Sequence, residues 1–145
     1  MNSKETLLAF FDSMSKWEVQ RYKKTKLQEY KNNIDRFRDM ENDFDRKALS
    51  EILSKYLTKK ALGSIGAPAL DTLGAGNPPV YDQSIIEEDL DASSHKYICA
   101  SNNGALLGSI LKYTLVDQDG NWRIDNIHGK HANSPATAWK KRASV

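Results

Sequence analysis

The spacing of apolar residues changes once along this chain, and that change limits the fold more than any other feature. Up to Leu57, apolar residues recur every three or four positions. Leu7, Phe10, Phe11, Met14 and Trp17 form one set, and Leu27, Tyr30, Ile34 and Phe37 a second. Ala48, Leu49, Ile52, Leu53, Tyr56 and Leu57 form a third. Such spacing places each set on one face of a helix. After Pro79 the pattern becomes that of strands, at 84–90, 95–101, 106–116 and 122–127. Helices followed by consecutive strands predict an α+β protein, with helices packed on one side of a curved antiparallel sheet.

Local signals set the expected boundaries. Ser3 reads as the N-cap of the first helix, with Glu5 in its first turn. The helical pattern then reads as one long helix, or as two with a break near Lys31-Asn32-Asn33, followed by a third helix starting around Asp45 and a stop at Gly63. Glycines and prolines from Gly63 to Pro79 predict a long connection over 64–79, with a helical turn near Ala69. Gly108 inside the third strand suggests a bend. In that strand Leu107, Ser109, Leu111, Tyr113 and Leu115 share one face, and Ile110, Lys112 and Thr114 lie on the other. Asp119-Gly120 between two strands reads as a hairpin turn, followed by a closing strand carrying Trp122 and Ile124. The tail 128–145 is expected as a C-terminal extension, with Ser134-Pro135 opening a short helix through Trp139. The whole chain, 1–145, is expected to be a single domain.

Composition narrows the function. The formal net charge is +2, with 21 Lys and Arg against 19 Asp and Glu, so the balance gives no support to nucleic-acid binding. One cysteine, Cys99, excludes an internal disulfide and a multi-cysteine metal site. The N-terminal segment lacks the apolar stretch of a signal peptide, and no segment is long enough to span a membrane. The expectation is a cytoplasmic protein.

Several segments resemble the NTF2-fold immunity proteins of bacterial polymorphic toxin systems. They are Leu7-Leu8-Ala9-Phe10-Phe11 with Trp17-Glu18-Val19, and the run from Leu53 through Tyr56 and Leu57 to Leu62. Pro78-Pro79-Val80-Tyr81-Asp82-Gln83-Ser84-Ile85-Ile86 is the most distinctive, and Tyr113-Thr114-Leu115-Val116 and Trp122-Arg123-Ile124-Asp125 close the match. The resemblance implies an NTF2-like cone and a protein that binds a cognate toxin and blocks the surface the toxin works with. It supplies no catalytic motif and implies no cofactor. Homodimers are frequent among NTF2-like proteins, so the resemblance also admits a second copy as partner.

Candidate chemistry divides between surface and cone. Tyr81, Asp82, Glu87, Glu88, Asp89 and Asp91 form the expected toxin-binding segment, because an acidic cluster would complement a basic toxin. A second acidic group, Asp35, Asp39, Glu41, Asp43 and Asp45, is balanced by interleaved arginines and lysines. The alternative is a small-molecule enzyme or ligand-binding protein, of isomerase or cyclase type, using the cone pocket. Its candidates are Tyr97, Tyr113, Trp122 and Asp125, with His95 at a strand start as a further acid–base candidate. A filled cone favours the binder and an open one the enzyme. His128 and His131 lack a third ligand nearby, so they read as a loop-borne polar pair and not as a metal site. Cys99 alternates with Tyr97 and is expected to pack in the sheet.

Overall fold

Helix α1 spans Ser3–Thr25 in the computed structural model, which describes residues 2–25, 34–72, 80–88, 95–102 and 109–145, with backbone alone at 25, 34–43 and 72. Its cap is Asn2 and not the expected Ser3. The Asn2 Oδ1 accepts the Glu5 amide at 2.7 Å, and the Asn2 carbonyl accepts the Thr6 amide at 3.0 Å. Asn serves as well as Ser here, because either side chain offers an oxygen to an otherwise unpaired amide. The expected face of Leu7, Phe10, Phe11, Met14 and Trp17 is the buried one.

Helix α2 spans Ile34–Tyr56. The break expected at 31–33 lies outside the described residues, as do the side chains of Asp35, Asp39, Glu41 and Asp43. No helix begins at Asp45, because α2 runs straight through it. Asp45 is buried and ties the two long helices together. Its carboxylate accepts from Arg21 Nη1 at 2.7 Å and Lys24 Nζ at 2.9 Å, and its carbonyl accepts from Trp17 Nε1 at 2.9 Å. Aspartate favours helix starts because its short side chain competes for nearby amides. Here two cations from α1 occupy that side chain instead.

The stop expected at Gly63 is displaced as well. After Tyr56, Thr58 caps the short helix α3, Lys59–Ala61, its Oγ1 accepting the Ala61 amide at 3.1 Å. The chain continues through a π-helical turn, Leu62–Gly66, into α4, Ala67–Thr72. Residues 64–68 are therefore helical where a connection was expected, the helical turn expected near Ala69 falls within α4, and 73–79 lie outside the described residues. Glycine and proline weaken a helix locally. Burial of Ile65 and Ala69 in the core offsets that weakness.

The sheet contains β1 (Gln83–Glu88), β2 (His95–Asn102), β3 (Ser109–Gln118), β4 (Asn121–His131) and β5 (Lys140–Lys141). They pair antiparallel in the order β1-β2-β3-β4-β5. Leu106, Leu107 and Gly108 lie outside the described residues. Strand β4 runs past Ile127 to His131 because 128–131 pair with Ser109 through Lys112. The His pair expected on a loop is thus on a strand. Residues 128–145 complete the sheet, and the helix expected from Ser134 is a single 3-10 turn, Ala136–Ala138. The β3–β4 turn is as expected: Asp119 and Gly120 have φ of 55° and 84°, the left-handed pair that matches the twist of a two-residue hairpin.

A bulge gives β4 its orientation. Thr114 faces Asn126 and Leu115 faces Ile124, which leaves Asp125 as the extra residue. Strict alternation would send Ile124 and Ile127 to opposite faces. With the bulge, both enter the core. The Arg123 guanidinium donates to the Ser54 and Lys55 carbonyls at 2.8 and 3.1 Å, placing a cation on the carbonyl end of α2.

Candidate binding face

The two faces of the sheet have different chemistry. On the helix side, Ile98, Ala100, Tyr113, Leu115, Ile124 and Ile127 pack against α1 and α2, with Leu111 and Trp122 partly buried beside them. Aromatic rings fill the space between. Phe10 meets Tyr56 and Tyr81 edge-on at 5.7 and 5.5 Å, and Phe11 meets Tyr113 at 5.2 Å.

Among the expected pocket residues, Tyr113 is fully buried and donates its hydroxyl to Gln83 Oε1 at 2.9 Å. Burial pushes its phenol up from the ordinary value. Trp122 packs against the core from its edge. The Asp125 carboxylate accepts from Thr58 Oγ1 at 2.9 Å and pairs with Lys60 Nζ at 3.3 Å, so it braces the cap of α3 against β4. Of the four, only Tyr97 belongs to the opposite face. His95, exposed, starts β2.

That opposite face carries a groove of about 790 Å³. Its floor is Tyr97, Cys99, Ile110 and Lys112, each alternating with an inward residue. Glu87 pairs opposite Cys99, and the bulge at Ile86 turns that side chain outward, where it is 53% exposed. Tyr97 is 40% exposed. Lys130 and Trp139 close the other wall. The Lys112 ammonium lies 4.7 Å from the Trp139 ring centre and 5.9 Å from that of Tyr97, and Lys130 lies 5.2 Å from Trp139.

The acidic segment expected at the interface is divided by this geometry. Tyr81 is only 3% exposed, packed on Phe10, so its ring cannot meet a partner. Its neighbour Asp82 is exposed. Glu87 and Glu88 both line the groove, and Glu88, opposite Ile98, also has Lys4 Nζ of α1 at 3.9 Å. Asp89 and Asp91 lie outside the described residues. Sequence reasoning missed Lys112, Lys130 and Trp139. Lys112 is a cation set between apolar Ile110, Leu111 and Tyr113, which was the available signal. Trp139 could not be placed, because β5 was not predicted.

Electrostatics distinguish the groove further. Burial raises the Cys99 thiol, and Glu87 adds to this while Lys112 and Lys130 oppose it. That leaves Cys99 a packed thiol and not an activated nucleophile. Among the described residues, the buried His128 Nδ1 has no hydrogen-bond partner. Burial lowers its pKa, and the positive charges of Lys112 and Lys141 lower it further. A histidine whose folded pKa lies below its unfolded value takes up protons first in the unfolded chain. Acidification through about pH 6.5 and below therefore removes stability. The melting temperature of H128Q is expected to fall less between pH 7 and pH 5 than that of the unmodified protein. Parallel pH profiles would contradict the assignment.

Among the described residues, no helix is long and apolar enough to cross a membrane, and no cluster of three or more His, Cys, Asp or Glu is placed to hold a metal ion. The model of a family described as NTF2 fold immunity protein matches residues 2–143. No curated protein and no solved structure matches the chain.

Proposed function

From the premise that this chain belongs to the NTF2 fold immunity protein family, we propose that it binds a cognate bacterial toxin and neutralises it in the cytoplasm of the cell that makes both. Neutralisation is by occlusion: the bound protein covers a surface the toxin needs. The observation that carries this is the contrast between the two faces of the sheet. The helix side is filled by Phe10, Phe11, Tyr56, Tyr81 and Tyr113. The other side offers a groove with exposed apolar side chains and both signs of charge.

The same contrast weighs against a small-molecule enzyme working inside the cone. Tyr113 and Asp125, the polar groups such chemistry would use, are engaged with Gln83, Thr58 and Lys60. Inhibition by occlusion needs only complementary shape and charge, with anchors that lose water on contact. A stable contact covers about 800 Å² on each partner, so it would extend past the groove to its rims. Glu87, Glu88 and the exposed Asp82 lie on the β1 rim.

Co-expression with the product of the gene immediately upstream is the test. Growth rescue and co-elution on size exclusion are the expected outcomes. A toxic neighbour that this protein neither binds nor neutralises would overturn the proposal at that locus.

A further inference from the structure

Given the toxin-binding function proposed above, we infer that the groove receives an acidic segment of the toxin, with its carboxylates at Lys112 and Lys130 and its apolar residues over Ile86, Tyr97 and Ile110. This reverses the polarity that the acid-rich β1 sequence suggests. Glu87 and Glu88 both line the groove, and Glu88 is met by Lys4 Nζ at 3.9 Å. On the facing wall, none of the ion pairs among the described residues includes Lys112, Lys130 or the neighbouring Lys141. Strand register brings these cations together: Lys112 lies opposite His128, Lys130 opposite Ile110, and Lys141 opposite His128 from the other side. Among the described residues, Lys4, Lys112, Lys130 and Lys141 outnumber Glu87 and Glu88 here.

The two groove lysines are also held in place. Lys112 lies over Tyr97 and Trp139, Lys130 lies over Trp139, and Lys130 Nζ donates to the Ser134 carbonyl at 2.9 Å. A lysine already fixed against aromatic rings loses less side-chain freedom when it meets a carboxylate. The apolar floor then separates a protein segment from other polyanions. Ile86, Ile110 and Tyr97 offer contact to apolar side chains, while the ring of Trp139, which a nucleobase would stack on, already carries two ammonium groups.

Two measurements test this, and they separate it from the proposal on which it rests. The first compares K112E/K130E with the unmodified protein for association with the upstream toxin at low and high salt. About tenfold slower association of the variant at low salt, with the difference shrinking at high salt, is expected. Equal rates, in a pair that still forms a complex, would overturn the inference while leaving toxin binding intact. The second uses fluorescent 12-residue peptides, one alternating Glu and Leu and one alternating Lys and Leu, beside a single-stranded oligo-dT. Binding of the Glu peptide alone, lost in K112E/K130E, supports the inference even if the upstream protein is not the partner. Preference for the Lys peptide or for oligo-dT would overturn it. So would a dimer of the unmodified protein that K112E/K130E converts to monomer, since the groove would then be a contact between copies. Circular dichroism of the variant confirms that it is folded, because both substitutions lie on the solvent side of the sheet.

Discussion

Replacing Tyr113 by alanine is expected to lower stability by about 4 kcal/mol, as truncation of a buried aromatic ring leaves a cavity its neighbours fill only in part. Tyr113 lies on the central strand β3, is fully buried, and meets Phe11 edge-on. For a chain of this size the loss corresponds to a fall of about 10 °C in melting temperature. It would consume much of the total stability of an ordinary domain. Replacing Tyr113 by phenylalanine keeps the ring and removes only the hydroxyl, leaving Gln83 Oε1 without that donor. That costs about 1 kcal/mol. Urea unfolding of both variants checks the pair. A phenylalanine variant as unstable as the alanine one would show that the hydrogen bond matters more than the packing. An alanine variant of near-normal stability would mean that the cone is not filled as described.

The second large effect belongs to Glu18. This carboxylate is 1% exposed, and it accepts the Val80 amide at 2.7 Å and the Tyr81 amide at 3.2 Å. It thereby fastens the chain entering β1 to the middle of α1. Alanine at this position removes the acceptor from the buried Tyr81 amide and the part-buried Val80 amide, which is expected to cost about 2 kcal/mol. Glutamine is expected to recover only part, because its amide oxygen can accept but its NH2 group would face a second donor. Hydrogen exchange gives the local signature: the Val80 and Tyr81 amides should lose protection in Glu18→Ala well before those of β3. Exchange that quickens uniformly over the sheet would instead mean that Glu18 supports the fold globally. Unchanged exchange at both amides would remove the assigned role. Tyr81, placed by sequence at the interface, is held inward by this contact, so the variant would also loosen the ring from Phe10.

What was legible in the sequence is what depends on period and on local turn chemistry. The spacing of Leu7, Phe10, Phe11, Met14 and Trp17 requires one apolar helical face, whatever packs against it. Asp119-Gly120 requires a hairpin, because few other pairs tolerate two consecutive positive φ values. These two features, with the change from helical to strand spacing, are enough for helices on an antiparallel sheet. The family segments Trp17-Glu18-Val19 and Pro78-Pro79-Val80-Tyr81 are physically linked: Glu18 of one supplies the carboxylate, and Val80 and Tyr81 of the other supply the amides it holds.

Tertiary structure alone decided the rest, because the deciding contacts join residues far apart in the chain. Asp45 stays inside a helix because Arg21 and Lys24 come to it from α1. Residues 64–72 are helical despite Gly66 and Pro68, because Ile65 and Ala69 have a core to enter. β4 extends to His131 because β3 offers it partners, and β5 joins only once β4 is in place. The candidate site is the strongest case. An acidic run is visible in one dimension, whereas Lys112, Lys130 and Trp139 become neighbours only when three separate segments are brought together on one face of the sheet.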